Sequence, residues 1–486
     1  MKKSNTLVLA IGLFLAGTDY ASAQQASDKD KWTLREAIEQ AVKSNIQVQQ
    51  SKVNKQQADV NLKQSKLDLL PNINGNASHG YNYGTFRDPL TGQFDNGQIR
   101  SNNFSLSAGV PLFQGLQLQK QIRQNNYLAE ASAADVLVTQ NDITLQVLTS
   151  YLNILFAKEL ISTSELQRTS TQKQLDRARI LFKAGSVAET NVLELEAQLS
   201  SDELTVINAQ NQAEISRLNL VQLLNLDDAT NFDVIIPEIP DPQANPVVIA
   251  PDQVYDVAVQ TMPVIKSVDL RVNSAEAGIG IARGAYYPRL SLSGGISSGY
   301  SSSRGEFGAE IIPGAFEKQF VGFETENGSN PINVYVPRTT PTFTRTGFST
   351  QLDDNFGQSV GLSLTVPIFN SFIARNNVER SKLNYETAQL NAKQQRNQLR
   401  QNIEQAAADA QAAYRKYVAS VAQVGSLERS FKNAELRLNS GVINSTDFTV
   451  IANNYRRAQS DLIQAKYDYF FKLKVLDFYQ GKDISF

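Results

Sequence analysis

The residue types that most often carry chemistry are scarce in this chain. Its 486 residues contain no cysteine and a single histidine, His79. Thiolate chemistry and disulfides are therefore excluded, and a metal site or acid–base pair built on histidine has almost nothing to work with. No Ser-His-Asp set is available away from His79, no glycine-rich phosphate loop occurs, and the acidic residues are scattered along polar helix faces. The sequence predicts a protein that is not an enzyme and has no cofactor or metal.

Charge and the N-terminus bear on where the chain resides. The 46 basic and 48 acidic residues nearly cancel, which argues against a nucleic-acid partner. The chain begins Met1-Lys2-Lys3, continues with a short apolar run over residues 7–16 and reaches Ala21-Ser22-Ala23. This pattern predicts a secretory signal peptide over residues 1–23, cleaved after Ala23. The alternative is an uncleaved anchor, but the run is shorter than the roughly 20 residues of a spanning helix.

The same architecture is written twice in the sequence. Val110-Pro111-Leu112-Phe113 matches Val366-Pro367-Ile368-Phe369, and each motif is followed by a helix-compatible run that ends at a glycine, Gly185 or Gly441. The glycine follows the phenylalanine by 72 positions in both halves. Upstream, the segment at 70–73 matches that at 287–290. A repeat this long, with strand-like and helical parts, is unlike a short-period solenoid.

Two very long helices are the main elements that the repeat predicts. Residues 116–184 contain neither proline nor glycine, and residues 371–440 contain only Gly425. At about 1.5 Å per residue, each helix would be on the order of 100 Å long. The second carries a heptad seam typical of coiled coils, made of Ile403, Ala406, Ala410, Ala413, Tyr417, Ser420, Val424, Leu427, Phe431, Ala434 and Leu438. The equivalent seam of the first helix includes the polar residues Ser150, Ser164, Arg168 and Thr171, which predicts weaker packing.

Between the helical parts lie strand pairs, predicted over about 72–113 and 289–369. Their apolar residues alternate with Asn, Ser, Thr and Gly in segments of about ten residues, as in outer-membrane strands. A half-buried sheet of a soluble protein shows the same alternation and is the alternative. The strands of each pair are joined by outward loops, a short one over about 84–102 and a long one over about 301–356. The seven acidic residues of the long loop form either a solvated surface or a ligand site.

Four membrane strands cannot close a barrel, since the smallest known barrels have eight. Open strand edges in lipid are forbidden because unpaired backbone groups there cost several kcal/mol each. We therefore expect an oligomer. The predicted polar lumen face consists of Asn74, Asn76, Ser105, Ser107, Ser291, Ser293, Ser363 and Thr365.

The strand exits, the two glycine segments and the closing segments at 465–471 and 476–481 resemble the TolC family of outer-membrane efflux and secretion channels. The resemblance covers essentially the whole mature chain. It implies a mixed α+β membrane protein that forms a homotrimer, with a twelve-stranded β-barrel of four strands per chain. The barrel would be continuous with a long α-helical coiled-coil tunnel in the periplasm. It also implies docking onto a periplasmic adaptor and an inner-membrane pump.

The resemblance further implies a periplasmic aperture at the helix tips. Asp447 matches an acidic position of the family gate, whereas Asn191, Val450 and Ile443 stand at positions that are charged in the family pattern. We therefore expect closure by apolar contact and one acidic ring rather than by salt bridges. The alternative role of Asp447 is to favour the dipole of its helix by about 0.3–1 kcal/mol.

The resemblance also implies that the tips contact the adaptor, through Gly185-Ser186-Val187 and Gly441-Val442-Ile443. A small apolar residue that is exposed at a tip needs a partner. The alternative is that these residues serve only as turns between antiparallel helices.

The sequence thus predicts a signal peptide at 1–23, a first repeat at 24–226, a linker at 227–251 and a second repeat at 252–486. Within the repeats the long helices span 116–184 and 371–440, the tips span 185–190 and 441–445, and a return helix follows each tip. The predicted function is the outer-membrane exit duct of a tripartite efflux pump or a type I secretion system. The alternatives are a stand-alone passive pore for solute uptake and a coiled-coil surface protein.

Overall fold

The computed structural model describes residues 31–87, 94–226, 230–237, 239, 241–242, 250–324, 328 and 330–482. The predicted signal peptide and its cleavage site at Ala23 lie outside the described residues. About half of the predicted linker, 227–251, lies outside them as well, namely residues 227–229, 238, 240 and 243–249.

The duplicated order of elements is two short helices, two strands and two long helices. In the first half these are α1 (Leu34–Ser44), α2 (Ile46–Leu67), β2 (Asn72–Arg87), β3 (Phe94–Gln114), α3 (Gln117–Lys183) and α4 (Glu189–Leu224). In the second half they are α5 (Pro251–Thr261), α6 (Pro263–Gly284), β5 (Arg289–Ser301), β8 (Gly357–Thr365), α8 (Ile373–Asn439) and α9 (Ser445–Tyr479). The remaining elements are β1 (Lys31–Trp32), β4 (Asp233–Val234), β6 (Gly305–Phe323), β7 (Pro331–Arg345) and α7 (Phe348–Asp354).

Helices α3 and α8 each span 67 residues. Each follows a sharp turn out of the sheet, in which two consecutive residues adopt left-handed backbone angles. These residues are Gly115 and Leu116 in the first half, with φ of 60° and 62°, and Ser371 and Phe372 in the second, with φ of 53° and 61°. Left-handed backbone costs a bulky residue about 1–3 kcal/mol, so the repeated strain marks a turn that the surrounding fold enforces.

The strands β2, β3, β5 and β8 form one antiparallel sheet in the order β2-β3-β5-β8. The helices next to the sheet continue this order, because α2 packs on α3, α3 on α6 and α6 on α8. Farther from the sheet, α3 packs on α4 and α9, and α9 packs on α8. The chain is therefore one segment of a wall. Its outer edges are formed by β2, α2 and α4 on one side and by β8 and α8 on the other.

The largest apolar core lies where α1, α3 and α4 meet the two-stranded sheet of β1 and β4. It includes the fully buried Val147, Leu148 and Leu220, and the partly buried Trp32 packs against it. Tyr151 donates a hydrogen bond to the carbonyl oxygens of Trp32 (3.1 Å) and Ile235 (2.5 Å). Burial raises the pKa of Tyr151, which favours the protonated hydroxyl that donates these bonds.

The predicted outward loops are wrong in one respect, because strands run through much of both. β2 and β3 have 16 and 21 residues, longer than the ten expected, and they reach into the predicted short loop. Within the predicted loop 301–356, β6 and β7 form an antiparallel hairpin that is followed by α7. The prolines of β7 argued against a strand, but a two-stranded ribbon has a free edge on both sides where proline is tolerated.

Helix α7 covers the part of β5 that β8 does not reach. Gln351 is fully buried, and its side-chain amide bonds both the N–H (2.9 Å) and the carbonyl oxygen (2.9 Å) of Ser301. One side chain thus satisfies the backbone groups that a further strand residue would have paired. Among the described residues, no helix combines the length and apolar character that are needed to cross a bilayer.

Candidate functional site: the helix tips and the polar sheet face

Both helical hairpins turn at a glycine with φ of 73°, in the left-handed region that glycine adopts without strain. The amides of Gly185 and Ser186 bond the carbonyl oxygens of Phe182 (2.9 Å) and Leu181 (2.8 Å). Gly441 and Val442 repeat this arrangement on the end of α8. These two bonds form a Schellman motif, which ends a helix and satisfies its last carbonyl groups.

The start of the return helix differs between the tips. In the second tip, Asn444 caps α9 by accepting a hydrogen bond from the Asp447 amide at 2.7 Å. In the first tip the cap position of α4 is Ala188, which has no side-chain bond to offer. The cap therefore stabilises the start of α9 more than the start of α4 is stabilised.

The four residues predicted for the aperture do not share one environment. Asp447, Val450 and Asn191 are exposed at the start of the return helices. Asn191 and Asp447 are equivalent positions of the repeat, 256 residues apart. Ile443 is half-buried and packs against the cluster of Ala434, Phe448 and Ala452. Its contacts therefore lie within its own hairpin.

The residues predicted to contact an adaptor divide in the same way. Gly185, Ser186, Gly441 and Val442 are exposed, and Val442 presents 64% of its surface. Val187 is half-buried, like Ile443, its equivalent in the second half. Of the three residues predicted to contact an adaptor at each tip, the accessible ones are thus the glycine and the residue that follows it.

A buried polar cluster between α3 and α4 was missed by the sequence analysis. Thr171 is fully buried and donates to Asp202 Oδ2 at 2.6 Å. Gln198 donates to Asp202 Oδ1 at 2.8 Å, and Gln167 approaches Asp202 Oδ2 at 3.4 Å. Asp202 as a whole is only 6% exposed, so these bonds replace the water that burial removes from its carboxylate.

This cluster continues into the other hairpin. Arg456 of α9 donates to Gln167 Oε1 at 2.9 Å, and nearer the tips Thr449 of α9 bonds Gln174 of α3. Burial lowers the pKa of Arg456, while the nearby charge of Asp202 acts in the opposite direction. The only sequence signal for the cluster was the polar Thr171 at a seam position. Arg168, another polar seam residue, is exposed.

The eight predicted lumen residues all lie on one face of the sheet. The register pairs Asn74 with Ser107 and Asn76 with Ser105. It also pairs Ser291 with Ser363 and Arg289 with Thr365, and it places Ser293 opposite Gly109. Because successive residues point to opposite faces, Ile73, Leu106, Ile296 and Leu362 lie on the other side. The sheet therefore has one polar and one apolar face.

His79 lies on that apolar face of β2, within hydrogen-bond distance of Asn102 on β3. Within the described ranges, no group of three or more histidine and acidic residues is placed to hold a metal ion.

Long antiparallel helical hairpins continuous with a sheet that is polar on one face and apolar on the other define a channel-type protein. Residues 37–226 and 254–481 match the family model described as outer membrane efflux protein, once for each half. The chain belongs to this family, which confirms the resemblance and the duplicated mixed α+β channel fold.

Curated relatives and solved structures agree with this assignment. The chain is 28% identical to the outer membrane protein TolC of Escherichia coli over 217 residues, which are 44% of this chain and 40% of that protein. It thus spans less than half the length of this relative. The fold of a CusC structure matches with a TM-score of 0.71 over 93% of this chain and 92% of that one, at 16% identity. The Campylobacter jejuni CmeC outer membrane channel gives 0.69 over 99% and 96%, at 18% identity.

Proposed function

We propose that three copies of this chain assemble into an outer-membrane exit duct. The duct passively conducts substrates that an inner-membrane pump delivers through a periplasmic adaptor, in efflux or in type I secretion. It has no catalytic activity or cofactor of its own. The relatives named outer membrane proteins and channels support this location and role.

The observation that carries the proposal is an apolar stripe at the edge of the chain. Ile46, Val53, Val60 and Leu67 recur every seven residues along α2, and each is between 44% and 67% exposed. At the opposite edge, Leu383 and Leu390 of α8 are 55% and 61% exposed, also seven residues apart. Heptad-spaced apolar residues on a helix surface indicate packing against another helix.

The internal repeat indicates which helix that is. The motif at 110–113 matches that at 366–369, so α3 corresponds to α8 with an offset of 256. The motif at 70–73 matches that at 287–290, so α6 corresponds to α2 with an offset of 217. Leu390 and Val60 are then the equivalents of Ala134 and Ala277, which are buried in α3 and α6. Since α3 packs on α6, we expect α8 of one chain to pack on α2 of the next.

The α3–α6 contact also has polar anchors that show how close the two helices lie. Asp135 of α3 bonds both Ser267 (2.5 Å) and Arg271 (2.5 Å) of α6. The positions equivalent to Asp135 and Ser267 are Asn391 on α8 and Gln50 on α2. Because Asn391 is uncharged, the interface between chains would keep polar groups at this level. It would lose the ion pair that Asp135 forms with Arg271.

The same equivalence between the two halves of the repeat predicts the strand pairing between chains. Ser107 of β3 pairs with Gly295 of β5, and the equivalent residues are Ser363 of β8 and Ser78 of β2. Pairing Ser363 with Ser78 of the next chain keeps polar residues on the polar face of the sheet. Three chains joined in this register supply the twelve strands that remove every open edge.

In the assembled duct, the face with Asn74, Asn76, Ser105, Ser107, Ser291, Ser293, Ser363 and Thr365 lines the lumen. These eight side chains are polar and uncharged, which suits the passage of varied solutes with little selectivity. Arg289, which pairs with Thr365 on the same face, adds a positive charge at the end of the sheet that adjoins the helices. The apolar face with Ile73, Leu106 and Leu362 contacts outer-membrane lipid. At the far end, Asp447, Asn191 and Val450 border the periplasmic aperture. Ile443 supports this region from within its hairpin.

The test exploits the absence of cysteine. A single cysteine is introduced at Ser186 or Val442, both exposed, and carries a short photo-crosslinker in cells. A cysteine at Gly322, at the end of the molecule far from the helix tips, is the control. We expect capture of a periplasmic adaptor from the tips alone. Efficient labelling without any captured protein would contradict the duct and favour the alternative, a stand-alone passive pore for solute uptake.

A further inference from the structure

The hairpin of β6 and β7 separates its aromatic and acidic residues onto two faces. The register pairs Phe307 with Phe343 and Phe316 with Pro337, which places them on one side of the ribbon with Ile311 and Tyr335. This aromatic face contains all five phenylalanines of the two strands: Phe307, Phe316, Phe320, Phe323 and Phe343. Glu306, Glu310 and Glu317 lie on the opposite, acidic face.

The aromatic face is largely uncovered in one chain. Phe307, Ile311, Phe316, Phe320, Phe323 and Tyr335 are each more than half exposed. Aromatic side chains have roughly 150–250 Å² of surface, so these residues leave on the order of 600 Å² of apolar surface uncovered. That equals the largest apolar patches of ordinary monomers and approaches the roughly 800 Å² that one partner buries in a stable interface.

The base of the hairpin is fixed to the sheet. β6 begins four residues after β5 ends, and β7 leads into α7, whose Gln351 bonds the backbone of Ser301 and Thr346. A strand of 15 residues is about 50 Å long, at 3.3 Å per residue. A twelve-stranded barrel is only about 25 Å across, given strands 4.8 Å apart and tilted by about 40°. Hairpins that rise from its rim are therefore long enough to meet over its mouth.

Apolar surface and hydration together determine which face would point to the three-fold axis. The opposite face carries Glu306, Glu310, Glu317 and Arg338 in each chain, and these four charged side chains keep their hydration when that face is turned outward. With the aromatic face inward, the charged residues near the axis are only Lys318, toward the turn of the hairpin, and Arg345 at its base. A two-stranded ribbon is marginally stable by itself in water and needs such a partner for one of its faces.

We propose that the aromatic faces of the three β6–β7 hairpins pack against one another over the outer mouth of the barrel. The partner of this surface is thus a second copy of the chain. The inference rests on the proposed three-chain assembly. It adds an interface at the exit end, separate from the barrel wall and from the helical tunnel.

Two adjacent threonines provide a matched test. Thr339 pairs with Ile311 on the aromatic face, and Thr340 pairs with Glu310 on the acidic face; both are exposed in the single chain. Thr339→Cys and Thr340→Cys are compared in whole cells, by labelling with a membrane-impermeant maleimide and by oxidation to disulfides. We expect Thr340→Cys to label at least tenfold faster. We expect Thr339→Cys alone to yield a disulfide-linked pair of chains.

Equal labelling of the two cysteines would overturn the proposal. Protection of Thr339→Cys without a disulfide-linked pair would also overturn it, because lipid or another protein would then cover the face. A second variant, Ser78→Cys with Ser363→Cys, reports on the barrel independently. If that variant gives a covalent product of three chains while Thr339→Cys gives no pair, the hairpin contact fails and the duct stands. If neither variant gives a covalent product, the three-chain assembly itself fails.

Discussion

The two helical hairpins of this chain have nearly the same backbone and different interiors. α3–α4 and α8–α9 have long helices of 67 residues each and the same glycine turn. Inside the first hairpin, Thr171 meets the carboxylate of Asp202. The equivalent residues of the second hairpin are Leu427 and Ala458, and Ala458 is buried.

The difference shows that a polar seam is not necessarily a weak one. The polar residues Ser164 and Thr171 predicted weaker packing of the first long helix. Both are buried with hydrogen bonds: Thr171 to Asp202, and Ser164 to the carbonyl oxygen of Leu160 at 2.7 Å. Beside the cluster, Gln167 accepts a bond from Arg456 of α9. A polar connection through Gln167 and Arg456 thus joins the two hairpins.

The largest expected effect concerns the turns into α3 and α8. A Cβ at Gly115 would lie 2.8 Å from the Tyr287 Cβ and against the Gly284 carbonyl oxygen, and its φ is 60°. Gly115→Ala should therefore destabilise the folded chain by at least about 3 kcal/mol, since backbone strain and a steric clash add. The matched control is Ser371→Ala at the equivalent turn, where one L residue replaces another. Thermal denaturation of the purified protein measures the stability lost in each variant. Comparable losses would show that glycine is no more necessary at Gly115 than serine is at Ser371.

The buried carboxylate should give the next largest effect. Asp202→Ala leaves Thr171, Gln198 and Gln167 without their acceptor, which costs about 2–3 kcal/mol. Asp202→Asn keeps an acceptor and should cost less. The neighbouring Glu203 is exposed, and Glu203→Ala is the control with little expected change. Chemical denaturation provides the comparison, and an Asp202→Ala variant as stable as Glu203→Ala would contradict the role of the cluster.

Exchanging the helix caps should change the tips by a smaller amount. Asn444→Ala removes the bond to the Asp447 amide and should destabilise the second tip by about 1 kcal/mol. Ala188→Asn adds a cap to the first tip and should stabilise it by a similar amount. Hydrogen exchange of the amides in the first turns of α4 and α9 reports both. Changes of the same sign in the two variants would refute the difference between the tips.

The smallest effect is a dependence on pH that comes from an ion pair present in the second hairpin and absent from the equivalent positions of the first. Lys472 of α9 bonds Asp409 of α8 at 2.9 Å and lowers the pKa of that carboxyl below its ordinary 3.8. A lowered pKa means that the pair stabilises the fold above about pH 4, and that this contribution is lost as the pH falls further. The equivalent residues of the first hairpin are Asn153 and Ser216. Lys472→Met should flatten the acid limb of the stability curve, whereas an unchanged limb would assign it to other groups.

Periodic patterns made the backbone of this protein largely predictable. The prediction of a helix over 116–184 rested on the absence of proline and glycine, and the structure has α3 at Gln117–Lys183. Strict alternation likewise predicted that Asn74, Ser107, Ser291 and Ser363 share a face. The β6–β7 hairpin was missed because proline and glycine in its strands resemble loop composition.

Side-chain networks were less predictable because their members lie far apart in sequence. Gln167, Asp202 and Arg456 come together only when three helices pack, and no local pattern marks Asp202 or Arg456. The predictions for Asp447, Asn191 and Val450 at the aperture remain predictions, since they depend on how chains meet.

The central claim is that three chains close one barrel in the register that the repeat implies. The most direct measurement combines Ser78→Cys and Ser363→Cys in the cysteine-free chain, with gel analysis after oxidation. Opposed residues of paired strands have Cβ atoms about 4.5–5.5 Å apart, close enough for a disulfide to form with slight adjustment. We expect covalently linked species of up to three chains and none larger, and none at all from either single variant. Failure of the double variant to form any link between chains, although both cysteines react with maleimide, would contradict it.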